Sequence, residues 1–533
     1  MKTLLELRLL PWLAAGLLAV GAIACGDDGD GMMAGDDDDD DMMVGDDDDD
    51  MMVGDDDDDD DDDSPLLQAI AADDDLTSLA AALDELVSRE ILPAGILALL
   101  EAGEGPTVFA PTNTGFDAAA TALGITDLET ATDEELTQLF GVIAYHIVAD
   151  SLDAAAITDP GFPGQVPSLL GSTEPDAPEG AGVNLYFDLS DGVAIRYFGL
   201  DPADNTELTS EVTTPDVAVP GDDDAVIHKV DQVIVPPNVF RVGILEGLTG
   251  FVGAVEAADP IPGDTPTPIE VALADPEASY TAFVPNNDAF DGVEVPADVL
   301  TGILLYHVIA GEDPVFSTTD PLPARADALN QVTLLLDIAN GNVNGGSVTE
   351  TAPGASITRT DIQAANGVIH VIDRILTVPT IATLAGIAGL DSLLTTVGQV
   401  DGAAGEGDPV IAGVLDNPTE TLTVFAPTDM AFSEATGPGG PANEADVDTL
   451  RAALLYHVVQ GQALTSDDLS TAPALDTLAE PGQEPVVNVA GDGTITLTDQ
   501  AGQTIGLVDG LVDLRALNGV VHVVDTVLLP LDL

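Results

Sequence analysis

The residues of this 533-residue chain best suited to chemistry are its six histidines, and their spacing is regular. Three follow a tyrosine, as Tyr145-His146, Tyr306-His307 and Tyr456-His457. The others, His228, His370 and His522, sit inside apolar runs that begin at Ala225, Gly367 and Gly519. A histidine so placed can ligate a metal, move a proton, or be a core group bonded to backbone. Chain order lets the two histidines of one repeat meet in space, but a metal site needs three or four ligands. The acids that recur nearby, Asp231, Asp373 and Asp525, lie three residues past the histidine, on the opposite face of a straight strand. No repeated Cys, Asp or Glu completes a ligand set, so neither a metal site nor a cofactor is expected. Flanked by apolar residues (Leu and Val in the second and third copies), each Tyr-His pair reads first as architecture and second as a recognition surface. Nucleophilic catalysis has little to work with: the sole cysteine is Cys25, and there is no Gly-x-Ser-x-Gly elbow, phosphate loop or dinucleotide fingerprint. The chain reads as a non-enzyme.

The elements that position these histidines are triplicated. TVFAPTNTGF at Thr107–Phe116, TAFVPNNDAF at Thr281–Phe290 and TVFAPTDMAF at Thr423–Phe432 share one design. A short apolar run reads as a buried strand, and a proline stops it. Thr112, Asn286 or Thr428 then caps a helix whose first turn carries Phe116, Phe290 or Phe432 toward the core. The Tyr-His pair follows in each copy, and then the last strand with its histidine. Three ordered copies make a tandem array.

TVFAPT-x-x-AF, then LLYHV, then NGV-[IV]-H-V-[IV]-D resembles the fasciclin domain, an extracellular adhesion module, over nearly everything from Leu66 to Leu533. The resemblance implies three tandem domains of α+β class, each a helical cluster packed on a small twisted β-sheet wedge or sandwich. In some animal members the region around the Tyr-His pair is implicated in integrin binding, which makes Tyr145, His146, Tyr306, His307, Tyr456, His457, His228, His370 and His522 the candidate binding or architectural set. The first repeat departs from the pattern. Asp222–Asp224 and Ala225 stand where the others have Asn366-Gly367 and Asn518-Gly519.

The chain holds 96 acids and 11 bases, a net charge of −85. Residues 1–63 hold 24 acids and 2 bases, so the repeats keep −63. So acidic a surface repels itself unless salt screens it, which suggests a saline or calcium-rich exterior. It excludes nucleic acid as a direct partner. Anionic polysaccharide would need bridging cations or a locally neutral patch. Hydrophobic residues make up 45% of the chain but aromatics only 4%, so the cores must be mostly aliphatic. One cysteine allows no intramolecular disulfide.

Residues 1–24 read as a secretory signal with a basic start and an apolar Leu9–Ile23 stretch, about 15 residues and too short to span a bilayer. Ala22-Ile23-Ala24-Cys25 resembles a lipoprotein box, with Cys25 as the lipidated residue. Gly26 in place of an aspartate then favours an outer membrane. Residues 25–63, Asp tracts between Met-Met-Ala-Gly or Met-Met-Val-Gly units, read as an extended tether whose stretch from Gly26 to Asp63 could span at most roughly 125–137 Å. Its carboxylates suit weak, non-specific Ca2+ association, and its Met pairs are soft ligands of the kind Cu(I) prefers.

The repeats are assigned to 64–237, 238–379 and 380–533. In the first, Leu76, Leu79, Ala80, Leu83, Leu86 and Val87 fall on one helical face. Further helices are expected over Leu92–Leu100, Gly115–Leu123 and Glu134–Tyr145, with a loop or insertion over Thr158–Pro178. Asn366-Gly367 and Asn518-Gly519 signal hairpins. The short joins at Pro236-Pro237 and Val378-Pro379 should hold neighbouring repeats at restricted angles. Together these features describe a secreted, lipid-anchored surface protein that adheres through weak multivalent contacts to envelope or matrix polysaccharide, or to a surface protein. The alternative is a structural or cation-holding envelope protein without a specific partner.

Overall fold

The computed structural model describes residues 64–530, apart from 102–104, 172–181, 200–204, 223, 259–267, 276–277, 312, 320, 346–353, 406–409, 439, 441–444, 472–474, 480–483 and 491–492. The signal stretch, Cys25 and the Asp-rich tract lie outside these residues. Among the described residues no helix is long and apolar enough to cross a membrane.

Each repeat opens with three helices and then runs the signature strand: Thr107–Pro111, Ser279–Pro285 or Leu422–Pro427. A five-residue β-branched and aromatic stretch has two faces, and here both are buried. Val108 and Ala110 enter the core under the helices, while Phe109 enters a second core on the sheet side with Tyr145. Ala282 and Val284 divide from Phe283 in the same way, and Val424 and Ala426 from Phe425. The signature strand is thus the partition between two cores in every domain.

Its neighbours are the same three times. On one side lies the short antiparallel strand after the Tyr-His pair, Ile147–Val148, Val308–Gly311 or Val458–Gln460. On the other lies the last strand of the repeat, running parallel: Val226–Val230, Gly367–Ile372 or Gly519–Val524. The register sets Phe109 opposite His228, Phe283 opposite His370 and Phe425 opposite His522. In the first two domains the strands form one seven-stranded sheet, whereas the third divides into sheets of four and three strands.

Several helical expectations shift. Leu76, Leu79, Leu83 and Leu86 are buried, but Val87 is 37% exposed and Ala82 takes a core place instead. Thr428 and Asn286 accept the capping hydrogen bond, from Ala431 and Ala289, but Thr112 makes none. Asn286 heads a 3-10 turn, Asn287–Phe290, rather than an α-helix, and Phe290 is only partly buried, unlike Phe116 and Phe432. The stretch expected as a loop contains the strand Gln165–Pro167. The asparagine-glycine pairs also sit differently from a turn centred on both. Ala364 pairs with Gly367 and Ala516 with Gly519, so the asparagine ends the two-residue turn and the glycine opens the strand.

The joins are fastened. Pro237 O accepts from Ala365 N and Pro379 O from Leu517 N, both at 2.8 Å, so each hairpin turn clasps the proline that leads into its domain. At the first junction Tyr186, Phe198 and Leu245 pack together, and the Arg241 guanidinium lies 5.2 Å from the Phe198 ring centroid. Tyr186 Oη donates to Glu246 Oε1 at 2.8 Å, while Arg359 Nη1 pairs with Glu246 Oε2 at 2.8 Å. At the second, Arg515 N donates to Thr333 Oγ1 at 2.9 Å, Arg325 Nη1 donates to Val512 O, and Leu335 packs on the third domain's core.

Candidate functional site

The helices Asp133–Tyr145, Ala297–Tyr306 and Val447–Tyr456 each end on the tyrosine, leaving the histidine as C-cap. A helix's last carbonyls lack partners, and a side chain that bends back can supply one. His146 Nδ1 donates to Val142 O, His307 Nδ1 to Ile303 O and His457 Nδ1 to Ala453 O, each at 2.7 Å. The opposite nitrogen, Nε2, accepts from Ile234 N, Leu376 N and Leu528 N, each at 2.9 Å. Each ring therefore joins the helix end to the segment after the last strand. Both nitrogens are committed only while the ring is neutral. Burial pushes all three pKa values down to about 4. The tyrosines are fully buried, and desolvation raises their hydroxyl pKa values, that of Tyr456 to about 12.

The strand histidines carry the other tautomer. His228 Nε2 donates to Leu152 O at 2.7 Å, His370 Nε2 to Val315 O at 2.8 Å and His522 Nε2 to Leu464 O at 2.8 Å. Nδ1 receives the backbone N–H of Asp216, Asp361 and Asp513 at 3.3, 3.4 and 3.3 Å. Each ring stacks on the signature-strand Phe, with centroids 5.2–5.5 Å apart. Burial lowers the pKa values of His370 and His522.

The three aspartates under these rings were not foreseen from the sequence. Each has a left-handed backbone, with φ of 52°, 60° and 61°. Asp216 and Asp361 fall at register breaks in their strands. Their carboxylates accept from the loop that follows the Tyr-His strand: Ala154 N, Ser317 N and Oγ, and Ser466 N and Oγ. The signature threonine completes the clamp, with Thr107, Thr281 and Thr423 Oγ1 accepting from Leu152, Val315 and Leu464 N. The available signal was an acid nine residues before the last-strand histidine in repeats two and three; in repeat one the longer hairpin makes it twelve.

The two histidines of a repeat do not meet. The signature strand separates them, His146 lining the helix-side core while His228 stacks on the sheet side. All four ring nitrogens in each domain are taken by backbone, which leaves no lone pair for a metal. Among the described residues no group of three His, Cys, Asp or Glu side chains could hold one. Asp231, Asp373 and Asp525 instead accept from Glu211 N, Ser356 N and Gly506 N, which fastens a neighbouring strand or loop.

The fasciclin domain model matches residues 76–236, 266–379 and 410–530. The chain belongs to the fasciclin family. It is similar to the transforming growth factor-beta-induced protein ig-h3 of Sus scrofa, 26% identical over 272 residues, which are 48% of this chain and 34% of that protein. It also resembles human periostin, 23% identical over 480 residues, covering 87% and 47% respectively. Protein sll1483 of Synechocystis is 28% identical over 144 residues, 25% of this chain and 69% of that one. The chain thus spans from a third to about half the length of the two animal relatives. Among solved structures, a FAS1 domain pair from the insect cell adhesion molecule fasciclin I matches 47% of this chain and 88% of that chain, at 20% identity and a TM-score of 0.30.

Proposed function

We propose that this fasciclin protein is a surface adhesion protein whose three domains make weak contacts to envelope or matrix polysaccharide that add by multivalency. The observation that supports this best is the fastened repetition. The same clamp is built three times, and hydrogen bonds and packing at both joins present the domains in a fixed series. The buried histidines have their ring nitrogens bonded to backbone, so contact falls to the outer surfaces and the junctions. A leader over residues 1–24, a lipid on Cys25 and an Asp-rich tether would place the series outside an outer membrane. The density of acids supports a second role in holding divalent cations around the array.

Co-sedimentation of the full-length chain with the organism's own envelope polysaccharide, at high salt with and without Ca2+, tests this. Saturable binding that weakens sharply for single-repeat fragments is expected. If polysaccharide leaves the chain in the supernatant under every condition, glycan adhesion is excluded, and cation uptake proportional to aspartate content becomes the better account.

A further inference from the structure

Positive charge in this acidic chain gathers where domains meet. Of the nine Lys and Arg residues within 64–530, Arg196, Arg241 and Arg359 lie at the first junction, and Arg325 and Arg515 at the second. Six of the nine have a carboxylate at ion-pair distance. Arg515 has none among the described residues. Among the described residues its side chain makes one hydrogen bond, from Nη1 to Gln331 Oε1 at 3.5 Å, which leaves most of its donors uncommitted. Asp468 lies within electrostatic range of it but is not bonded to it, so the fork of donors is open to an incoming acceptor.

The space beside it is a cleft of about 910 Å³ between the second and third domains, large enough for a few sugar rings. Val299 and Leu517, 46% and 51% exposed, form apolar wall. Thr377 and Thr421 line it, their hydroxyls unbonded among the described residues, and so does Glu420, whose Oε2 accepts from Gln460 Nε2 at 3.0 Å.

We propose that this cleft binds a carboxylate-bearing saccharide, a uronate unit of an acidic polysaccharide. Arg515 takes the carboxylate through paired N–H···O bonds. Gln331, Thr377 and Thr421 meet ring hydroxyls, while Val299 and Leu517 lie against the sugar's C–H face. A polypeptide strand could not add at this edge, because the Arg515 N–H is already given to Thr333. The inference rests on the polysaccharide reading above and supplies its site. It also gives an unusual salt dependence. The −85 chain repels an anionic ligand over long range, and that repulsion is screened as the Debye length falls from about 10 Å at 0.1 M to about 3 Å at 1 M. A short bidentate pair inside a cleft is screened less, so binding should tighten with salt.

The test is calorimetric titration of the full-length chain with tetragalacturonate in EDTA, at 0.1 and 1 M NaCl, beside the carboxyl-reduced tetramer. Expected are tighter binding at 1 M and a loss of about 10-fold or more in both R515Q and R515K, because lysine keeps the charge but not the fork. Q331A should lose less. The Arg515 side chain makes one long hydrogen bond among the described residues, so these variants should melt as the parent does, and phenylglyoxal labelling of Arg515 slowed by tetragalacturonate gives a second readout in the unaltered chain. Equal affinity in R515Q, or equal affinity for the reduced tetramer, overturns the proposal. If R515Q then still sediments with whole polysaccharide, the cleft is wrong and adhesion stands; if the unaltered chain never sediments, adhesion itself has failed.

Discussion

In the second and third domains, one asparagine ties the closing hairpin to the domain's first helix. Asn366 Oδ1 accepts from Val239 N, and its Nδ2 donates to Leu273 O and Asp275 O. Asn518 does the same with Ile381 N, Leu415 O and Asn417 O. The first domain has no such asparagine, and among the described residues its Asp222 side chain accepts only from Asp224 and Ala225 within its own turn. The two jobs have moved to the start of the first helix. Pro65 at the first helical position has no N–H, so no acceptor is needed there, and Ser64 Oγ donates to Leu100 O, the counterpart of Leu273 and Leu415. The difference teaches that what the fold requires is a satisfied helix start and a satisfied carbonyl at the end of the third helix. Asparagine is one way to provide both, and Ser-Pro is another.

The sharpest way to break this comparison is at the glycine after the asparagine. Gly519 has φ of +152°, and a Cβ there would sit 2.0 Å from Leu422 O. Backbone cannot give way as a side chain can, so G519A should cost the third domain about 3–5 kcal/mol. The reverse change at the matching place in the first domain, A225G, should cost about 1 kcal/mol or less, since Ala225 already tolerates a Cβ. Hydrogen exchange resolved by domain measures both. Equal losses would mean that the three hairpins share one geometry after all.

Acid should ignore the difference between domains. His146, His307 and His457 have pKa values near 4 when folded, against an ordinary 6.5. The unfolded chain therefore takes up the proton first. Stability held by the neutral ring is complete above pH 6.5 and is lost as pH falls toward 4, about 3 kcal/mol per histidine. All three domains should weaken together across that window in an exchange or circular dichroism titration at constant salt. A flat profile from pH 6.5 to 4.5 would sink the buried-neutral assignment.

The asparagine itself comes next. N518A removes one acceptor and two donors from a buried site, for about 2–3 kcal/mol, whereas D222A should cost the first domain about 1 kcal/mol. Matching losses would show that Ser64-Pro65 does not do the work assigned to it.

Much of this was legible in the chain, because the triplicated stretches are made of residues whose local preferences and burial agree. TVFAP alternates into two cores, and the histidines sit where an apolar run leaves their nitrogens only backbone to meet. What could not be read was long-range. Val87 fits a helical stripe by spacing but faces solvent, since the stripe is narrower than the periodicity allows. Asp216, Asp361 and Asp513 look like ordinary surface acids among 96, and only the left-handed backbone that aims their N–H at the histidine rings gives them a role. The division of the third domain's sheet leaves no mark in its strand propensities.

The smallest effect isolates the proline. In P65A the first helix regains an N–H at its first position, and no asparagine is present to accept it. In the other domains that N–H belongs to Val239 or Ile381 and is bonded. Alanine also frees the unfolded chain, so the two effects add to about 0.5–1 kcal/mol of destabilisation. Adding an asparagine acceptor at position 223 or 224 would not restore it unless the hairpin also shortens, because the first domain's turn is longer than the two-residue turns of the others. If P65A instead leaves melting of the first domain unchanged, neither the missing N–H nor the fixed backbone of the proline contributes, and Pro65 is no substitute for the asparagine.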